Sequence, residues 1–476
     1  MLQHRRTLLF VFVALSLVYV CRLYYISQNH GSPSWVHRGR NDGDVLNSTL
    51  GFEGIFVINL PSRRDRRDAM AMAGDVSGLN LTFLEGLTGD SVPSPFSTGK
   101  SAGRGGTEAE PSGSASSGAR GSWGSHMKAL QTIVDMGLGS GLVLEDDVDW
   151  DVRLKTQMRT FAMTSRMWLD VEEQKRRMIS RVQKHETTTS QRRGGRLMSW
   201  VPSWKGEQKQ ESKARSRVAS NSGLDSKDGR AIIDHFGRDT IPLPTKLASI
   251  HEIHTKSPYG DDWDVLWLGH CGADLPATRQ DSPSSEYPFS SSSSSLKISI
   301  YGDSTVPAPK HLKPHPFALR DKLADIYPAH TRVVHAANGN VCSLAYAVSQ
   351  RGARKLLRQF GKDGFVYQWD LMLRDYCMGE FDGEREDSSE HGREKEGHIS
   401  LVCLTVQPPL ISHHYAGEEG GASVSDIRGQ GGGLARGKKG TPYVRLSVQG
   451  NLERLVAGFP EDRLVDQLPD DGDTLW

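Results

Sequence analysis

Internal repeats, paired-cysteine motifs and an excess of charge of either sign are all missing from this 476-residue chain. Its 58 Lys and Arg face 57 Asp and Glu, for a formal net charge of +1. Domains that grip nucleic acid by bulk charge carry a basic excess, so nucleic acid is not the expected partner, although a local basic site stays possible. The five cysteines, Cys21, Cys271, Cys342, Cys377 and Cys403, form no CxxC pair, which argues against a zinc knuckle. Cys21 lies in the first apolar run. The other four are either buried thiols or disulfide partners, and four cysteines allow three pairings. Core formers are also thin. Hydrophobic residues make up 37%, and trading Tyr for Gly brings the share to roughly 45%, the low end of the globular range. Length alone points to two or three domains, whereas composition points to one folded core diluted by polar insertions.

What is present begins with Leu8 to Cys21, LLFVFVALSLVYVC, preceded by Arg5 and Arg6. Arg22 can snorkel while Leu23 to Ile26 extend the run. As helix, Thr7 to Ile26 spans about 30 Å, a length suited to a thin early-secretory membrane. The competing reading is a cleaved signal peptide; the lack of a small-x-small cleavage site favours an uncleaved anchor. Arginines on both sides leave the positive-inside bias weak. Two sequons after the span, Asn47-Ser48-Thr49 and Asn80-Leu81-Thr82, favour a type II protein facing the lumen of the Golgi or ER.

Past a polar stem, Gly54 to Leu60 reads as a buried parallel strand, followed by a helix from Arg63 through Met72 and a second strand at Leu81 to Leu84. Helical spacing runs from Met127 to Met136, with Ser122 or Ser125 as cap and Gly137 as stop. Further strands are expected at Gly141 to Leu144, Asp264 to Gly269, Val341 to Val348 and Leu401 to Val406, with a helix at Gly352 to Phe360. Strands that alternate with helices and are apolar throughout predict an α/β fold with a mostly parallel sheet and flanking helices. Ser-, Gly- or charge-rich stretches at about 94–120, 151–230, 278–298 and 380–398 read as disordered insertions. Within the second of these a helix from Met158 to Met178 is plausible without a packed core. Its basic run, Gln174 to Arg196, is either a solvated helix or a nucleic-acid patch; overall neutrality favours the former. The expected layout is a cytosolic tail at 1–6, an anchor at 7–26, a stem at 27–50, a catalytic domain at 51–430 and a tail at 431–476.

Two features carry chemistry. Leu142 to Asp147, LVLEDD, delivers Glu145, Asp146 and Asp147 to a strand end, where ligands of open α/β sheets collect. Adjacent carboxylates there suit Mn²⁺ or Mg²⁺ holding a diphosphate, though a polar acidic turn would look the same. Arg63, Asp65 and Arg66 follow the first strand, where arginines can hold phosphates or simply form a solvated helix face.

Taken together, NLPSRRDRR (Asn59 to Arg67), GSWGSH (Gly121 to His126), LVLEDD, DVLWLG (Asp264 to Gly269) and AYAVSQRGARKLL (Ala345 to Leu357) resemble glycosyltransferase family 25. That family includes bacterial lipopolysaccharide glycosyltransferases and procollagen galactosyltransferases. QWDLML (Gln368 to Leu373) and QPPLISHHYAGEEGGASVSDI (Gln407 to Ile427) look like its later segments. The resemblance implies a GT-A-like (Rossmann-like) fold, a UDP-sugar donor, a divalent metal, and transfer of a hexose, plausibly galactose, to a glycan or protein hydroxyl. Carried over by position, Arg63, Asp65, Arg66, Ser125 and His126 would bind the donor, and Glu145, Asp146 and Asp147 the metal. Asp370 would be the base of an inverting transfer, unless it merely caps its helix. Ser425 and Asp426 match a late Ser-Asp-Ile element, and Ser122 stands where the family often has Cys. His413 and His414 could complete a metal site or be ordinary loop histidines. The alternative function is a catalytically silent, glycan- or partner-binding protein on the same scaffold.

Overall fold

The computed structural model describes residues 42–92, 117–193, 239–243, 255–276, 294–315, 318–379, 401–416 and 439–476. In chain order the main elements are β1 (Ile55–Asn59), α1 (Arg64–Ser77), β2 (Leu81–Glu85), α2 (Ser117–Asp135), β3 (Ser140–Glu145), β4 (Val148–Trp150), α3 (Leu154–Arg193) and β5 (Thr240–Pro242). After these come β6 (Val265–Gly269), β7 (Lys297–Ile300), β8 (Arg332–Ala336), β9 (Ala345–Ser349), α4 (Gln350–Asp363) and α5 (Trp369–Met378). The last are β10 (Cys403–Gln407), β11 (Ile411–His413), β12 (Tyr415–Ala416), β13 (Lys439–Gly440) and α6 (Leu452–Val456).

The main sheet runs β2-β1-β3-β9-β6-β10-β8-β7-β5, with β11 joining β6 to β4. Seven of these nine path strands point one way, and β8 and β9 run against them. The mostly parallel expectation therefore holds, with two reversed strands that the residue pattern did not reveal. The near-continuous apolar strands follow from burial on both faces. Ile55, Val57, Leu142, Leu144, Leu266 and Leu268 face a core completed by Met70 of α1 and Met158, Phe161 and Trp168 of α3. Alternate residues Phe56, Val143, Val265 and Trp267 face the opposite core, built with α2, α4 and α5.

Local chemistry sets the element ends. Gly78, at φ 59°, closes α1 in the left-handed conformation that glycine adopts without penalty. Ser349 Oγ accepts the Gly352 N–H at 3.0 Å at the start of α4. A Cβ on Gly352 would lie 2.3 Å from the Asp264 carbonyl oxygen, so only glycine permits this helix to sit so close to β6. The buried Asp264 carboxylate takes Arg351 at 2.9 Å and Lys355 at 2.7 Å. The SQRGARK stretch thus fastens α4 to the sheet.

Several sequence expectations are corrected. Residues 151–178 are no loose insertion: α3 starts at Leu154 and its first turns bury Met158, Phe161 and Trp168. The apolar spacing of that stretch was masked by its charged neighbours. Residues 117–120 belong to α2, so Ser122 and Ser125 lie inside that helix and cap nothing. Residues 297–298, placed in an insertion, belong to β7. Val341 to Leu344 is irregular, and the strand there begins at Ala345. Val45 and Leu50 of the expected stem are fully buried. The expected tail packs as well, burying Tyr443, Val444, Val448 and Leu468. Among the described residues no helix is long and apolar enough to cross a membrane. The 7–26 segment, the late Ser425–Asp426 match and the insertion at 380–398 lie outside the described residues. The four later cysteines form two disulfides, Cys271–Cys342 and Cys377–Cys403.

Candidate functional site

Strands β1, β3 and β6 bring Asn59, Glu145 and Gly269 to one sheet edge, their shared carboxyl end, and the reversed β9 starts beside them at Ala345. Such an edge is where ligands of α/β sheets bind. Just past it, Arg66 reaches from the first turns of α1 and places Nη1 2.8 Å from Asp146 Oδ1 and 3.0 Å from Asp147 Oδ2. Asn59 Nδ2 donates to Asp146 Oδ2 at 2.7 Å and to the Arg63 carbonyl at 3.0 Å. Both Asp146 oxygens are therefore engaged.

Asp147 differs. Its Oδ2 also lies 3.4 Å from His413 Nε2 at the end of β11. Its Oδ1 is buried without a partner, as is His413 Nδ1. Burial works to raise both carboxyls. It succeeds at Asp146, where the charge of Asp147 adds to it against Arg66 and Asn59. At Asp147 the neighbouring His413 and Arg66 outweigh burial and hold the carboxyl far below the usual range. The Arg66 guanidinium is weakened by burial, but Asp147 and Asp146 more than compensate and raise its pKa.

Glu145 turns to the other side. It accepts from Ser343 Oγ at 2.9 Å and lies 3.7 Å from His126 Nε2. His126 is buried, stacks on Trp369 with ring centroids 4.8 Å apart, and meets the Tyr346 hydroxyl at 3.1 Å through Nδ1. Asp370, in the first turn of α5, accepts the Cys342 N–H at 2.8 Å through Oδ2. Consecutive residues Cys342 and Ser343 thus hold Asp370 and Glu145 respectively.

A pocket of about 410 Å³ opens beside this edge, lined by Asp65, Arg66, Asp146, Asp147, His414 and residues of the chain's C-terminal part, among them Gln449 and Arg454. The structure sorts the predicted residues accordingly. Arg66, Asp65, Asp146 and Asp147 meet at this pocket, whereas Arg63 is not in its lining and grips Asp65 at 2.9 Å instead. Ser125 is a structural link, donating to the Gly121 carbonyl at 2.7 Å and accepting the Leu87 N–H at 2.8 Å. The three acidic residues do not act as one set. Among the described residues no group of three or more His, Cys, Asp or Glu side chains is placed to hold a metal.

Asn59, Asp149 and the 441–454 segment escaped the sequence reading. Asp149 had a usable signal, since an acidic residue between the apolar Val148 and Trp150 of a short buried strand needs donors from elsewhere in the chain. The C-terminal segment carries Tyr443, Val444, Leu446, Val448 and Leu452 among polar residues, without a period that marks a strand or a helix.

An α/β sheet with carboxylates and a pocket at its carboxyl edge defines a ligand-binding α/β protein. Residues 52–199 match the model of glycosyltransferase family 25 (LPS biosynthesis protein). The match contains β1 through α3, hence Arg63 to Arg66 and Glu145 to Asp147, and ends before Asp370, His413 and Arg454. No curated protein matches the chain. The match covers less than a third of the chain, and the family it names is one of glycosyltransferases.

Proposed function

We propose that this chain transfers a hexose, plausibly galactose, from a UDP-sugar to a hydroxyl of a glycan or protein, with inversion and with Mn²⁺ or Mg²⁺. The observation that carries the reading is the unpartnered, buried Asp147 Oδ1 at the pocket between Arg66 and His413. Divalent ions of this kind commonly take one or two protein carboxylates and complete their shell with substrate phosphates. Asp147 and His413 would hold the ion, and when bound it neutralises charge on the departing nucleoside diphosphate.

The chain's own residues account for the rest. Arg66 and Asn59 fix Asp146, and through it the β3–β4 turn, so that Asp147 is presented without reorganisation. The Cys342 N–H holds one oxygen of Asp370, which leaves the other for an acceptor hydroxyl. As the acceptor oxygen bonds to the anomeric carbon and the bond to the diphosphate oxygen breaks, the hydroxyl proton passes to Asp370. The proposal includes a single-pass type II location in the Golgi or ER membrane with a lumenal catalytic part. Two disulfides support an oxidising compartment.

One observation favours the second reading, a catalytically silent glycan- or partner-binding protein: Arg66 already supplies a positive charge to both Asp146 and Asp147. Purified protein incubated with Mn²⁺ and a panel of UDP-sugars separates the two. Donor hydrolysis or transfer is expected, and Asp370→Asn should lower kcat by roughly 10²- to 10⁴-fold. Near-normal turnover in that variant ends the base assignment, and no turnover of any donor by the wild type leaves the silent reading.

A further inference from the structure

The arginines that the sequence offers for an anionic donor are already occupied. Arg66 is bound to Asp146 and Asp147, and Arg63 to Asp65. Four carboxylates, Asp65, Asp146, Asp147 and Glu453, line the pocket against the guanidinium groups of Arg66 and Arg454. Arg454 is exposed, and among the described residues its guanidinium has no carboxylate partner. An anion entering this pocket therefore finds Arg454 as the arginine ready to donate.

The wall that carries Arg454 is held firmly. The fully buried Asp149 carboxylate accepts from Thr441 Oγ1 at 2.7 Å and from Ser447 Oγ, and its other oxygen takes the N–H groups of Trp150 at 2.8 Å and Gln449 at 3.1 Å. Gln449 Nε2 reaches the Ala69 carbonyl of α1 at 3.4 Å. Asn451 ties the segment onward, donating to the Ser447 and Val465 carbonyls and accepting the Val465 N–H. The β3–β4 turn and the short strand after it thus divide the work: Asp147 of the turn lines the pocket, and Asp149 of β4 latches the segment that forms its wall.

We propose that Arg454 binds the diphosphate of the nucleotide donor, so that the C-terminal segment, outside the family match, completes the donor site. The inference rests on the donor reading above and names the group that meets the phosphates. A planar guanidinium suits phosphate oxygens because it donates two parallel hydrogen bonds.

Titration calorimetry of the full chain with UDP and with uridine, in Mn²⁺, tests this. Arg454→Gln should weaken UDP binding by roughly tenfold, the scale of one charge-assisted hydrogen bond, and leave uridine binding unchanged. Arg454→Lys should recover part of the loss. Arg454 is exposed, so an unchanged thermal midpoint confirms that the variant is folded. UDP binding that is equal in wild type and Arg454→Gln overturns this inference alone. A wild type that binds no UDP overturns the donor reading and this inference with it.

Discussion

Arg66 and Asp147 meet across 81 positions of sequence, with Nη1 3.0 Å from Oδ2, and the same nitrogen bonds Asp146. The contact joins the two charged motifs that follow β1 and β3, and it makes Arg66 part of the acidic site's own support.

Removing that cation should be costly. Arg66→Met leaves two adjacent, largely buried carboxylates without their shared counter-charge, and uncompensated buried charge costs about 3 kcal/mol or more. Urea unfolding should show that loss. Mn²⁺ should then raise the midpoint of the variant more than that of the wild type, because the ion becomes the alternative counter-charge. A variant as stable as the wild type would mean that the pair is not energetically coupled.

The buried pair His270 and His335 predicts a pH dependence. Burial depresses each to about 4, against the acceptors that face the rings, the Val406 carbonyl at His270 and the Ala336 carbonyl and Gln407 Oε1 at His335; His335 and Lys297 add to the respective depressions. The unfolded chain then takes up protons before the folded one does. Stability is complete above the usual value of 6.5 and is lost as pH falls toward 4. Asp321, which Gln407 also contacts and which burial pushes up to about 6, acts in the opposite sense below that pH. Asp146, likewise raised to about 6, acts with Asp321, and the net loss from pH 7 to pH 5 is roughly 1 kcal/mol. His335→Gln should flatten the slope by about one proton, measured as urea midpoints across that range. An identical slope would place the titration elsewhere.

The sequons make a third prediction, tied to the lumenal reading. Asn80 is exposed at the entry to the edge strand β2, and its N–H bonds the Ser48 carbonyl within the other sequon. Both sites lie at the amino end of β2, away from the carboxyl edge where Asp146 and Asp147 sit, so a glycan there leaves the pocket clear. Protein from a eukaryotic secretory host should lose mass on peptide-N-glycosidase treatment, and Asn80→Gln should remove one glycan's worth without changing donor turnover. No glycan at Asn80 in such a host would count against that exposure to the lumen.

What the sequence determined by itself was local. Apolar runs at Ile55 to Leu60, Leu142 to Leu144 and Asp264 to Gly269 specified strands because both sheet faces are covered, and LVLEDD located the acidic strand end because a strand carries its last residues to the sheet edge. Arg66 and Asp147 were both legible as site residues. Their pairing was not, since nothing in either motif states that α1 leans over the β3–β4 turn. Only the tertiary structure separated Asp147 from Asp146 and Glu145, by giving Asp146 a second partner in Asn59 and Glu145 one in Ser343 while Asp147 Oδ1 has none. Only it turned an expected tail into a pocket wall, because the Asp149 carboxylate finds its donors some 300 residues away. Hydrogen bonds at that separation depend on chain topology, which residue spacing along the sequence does not encode.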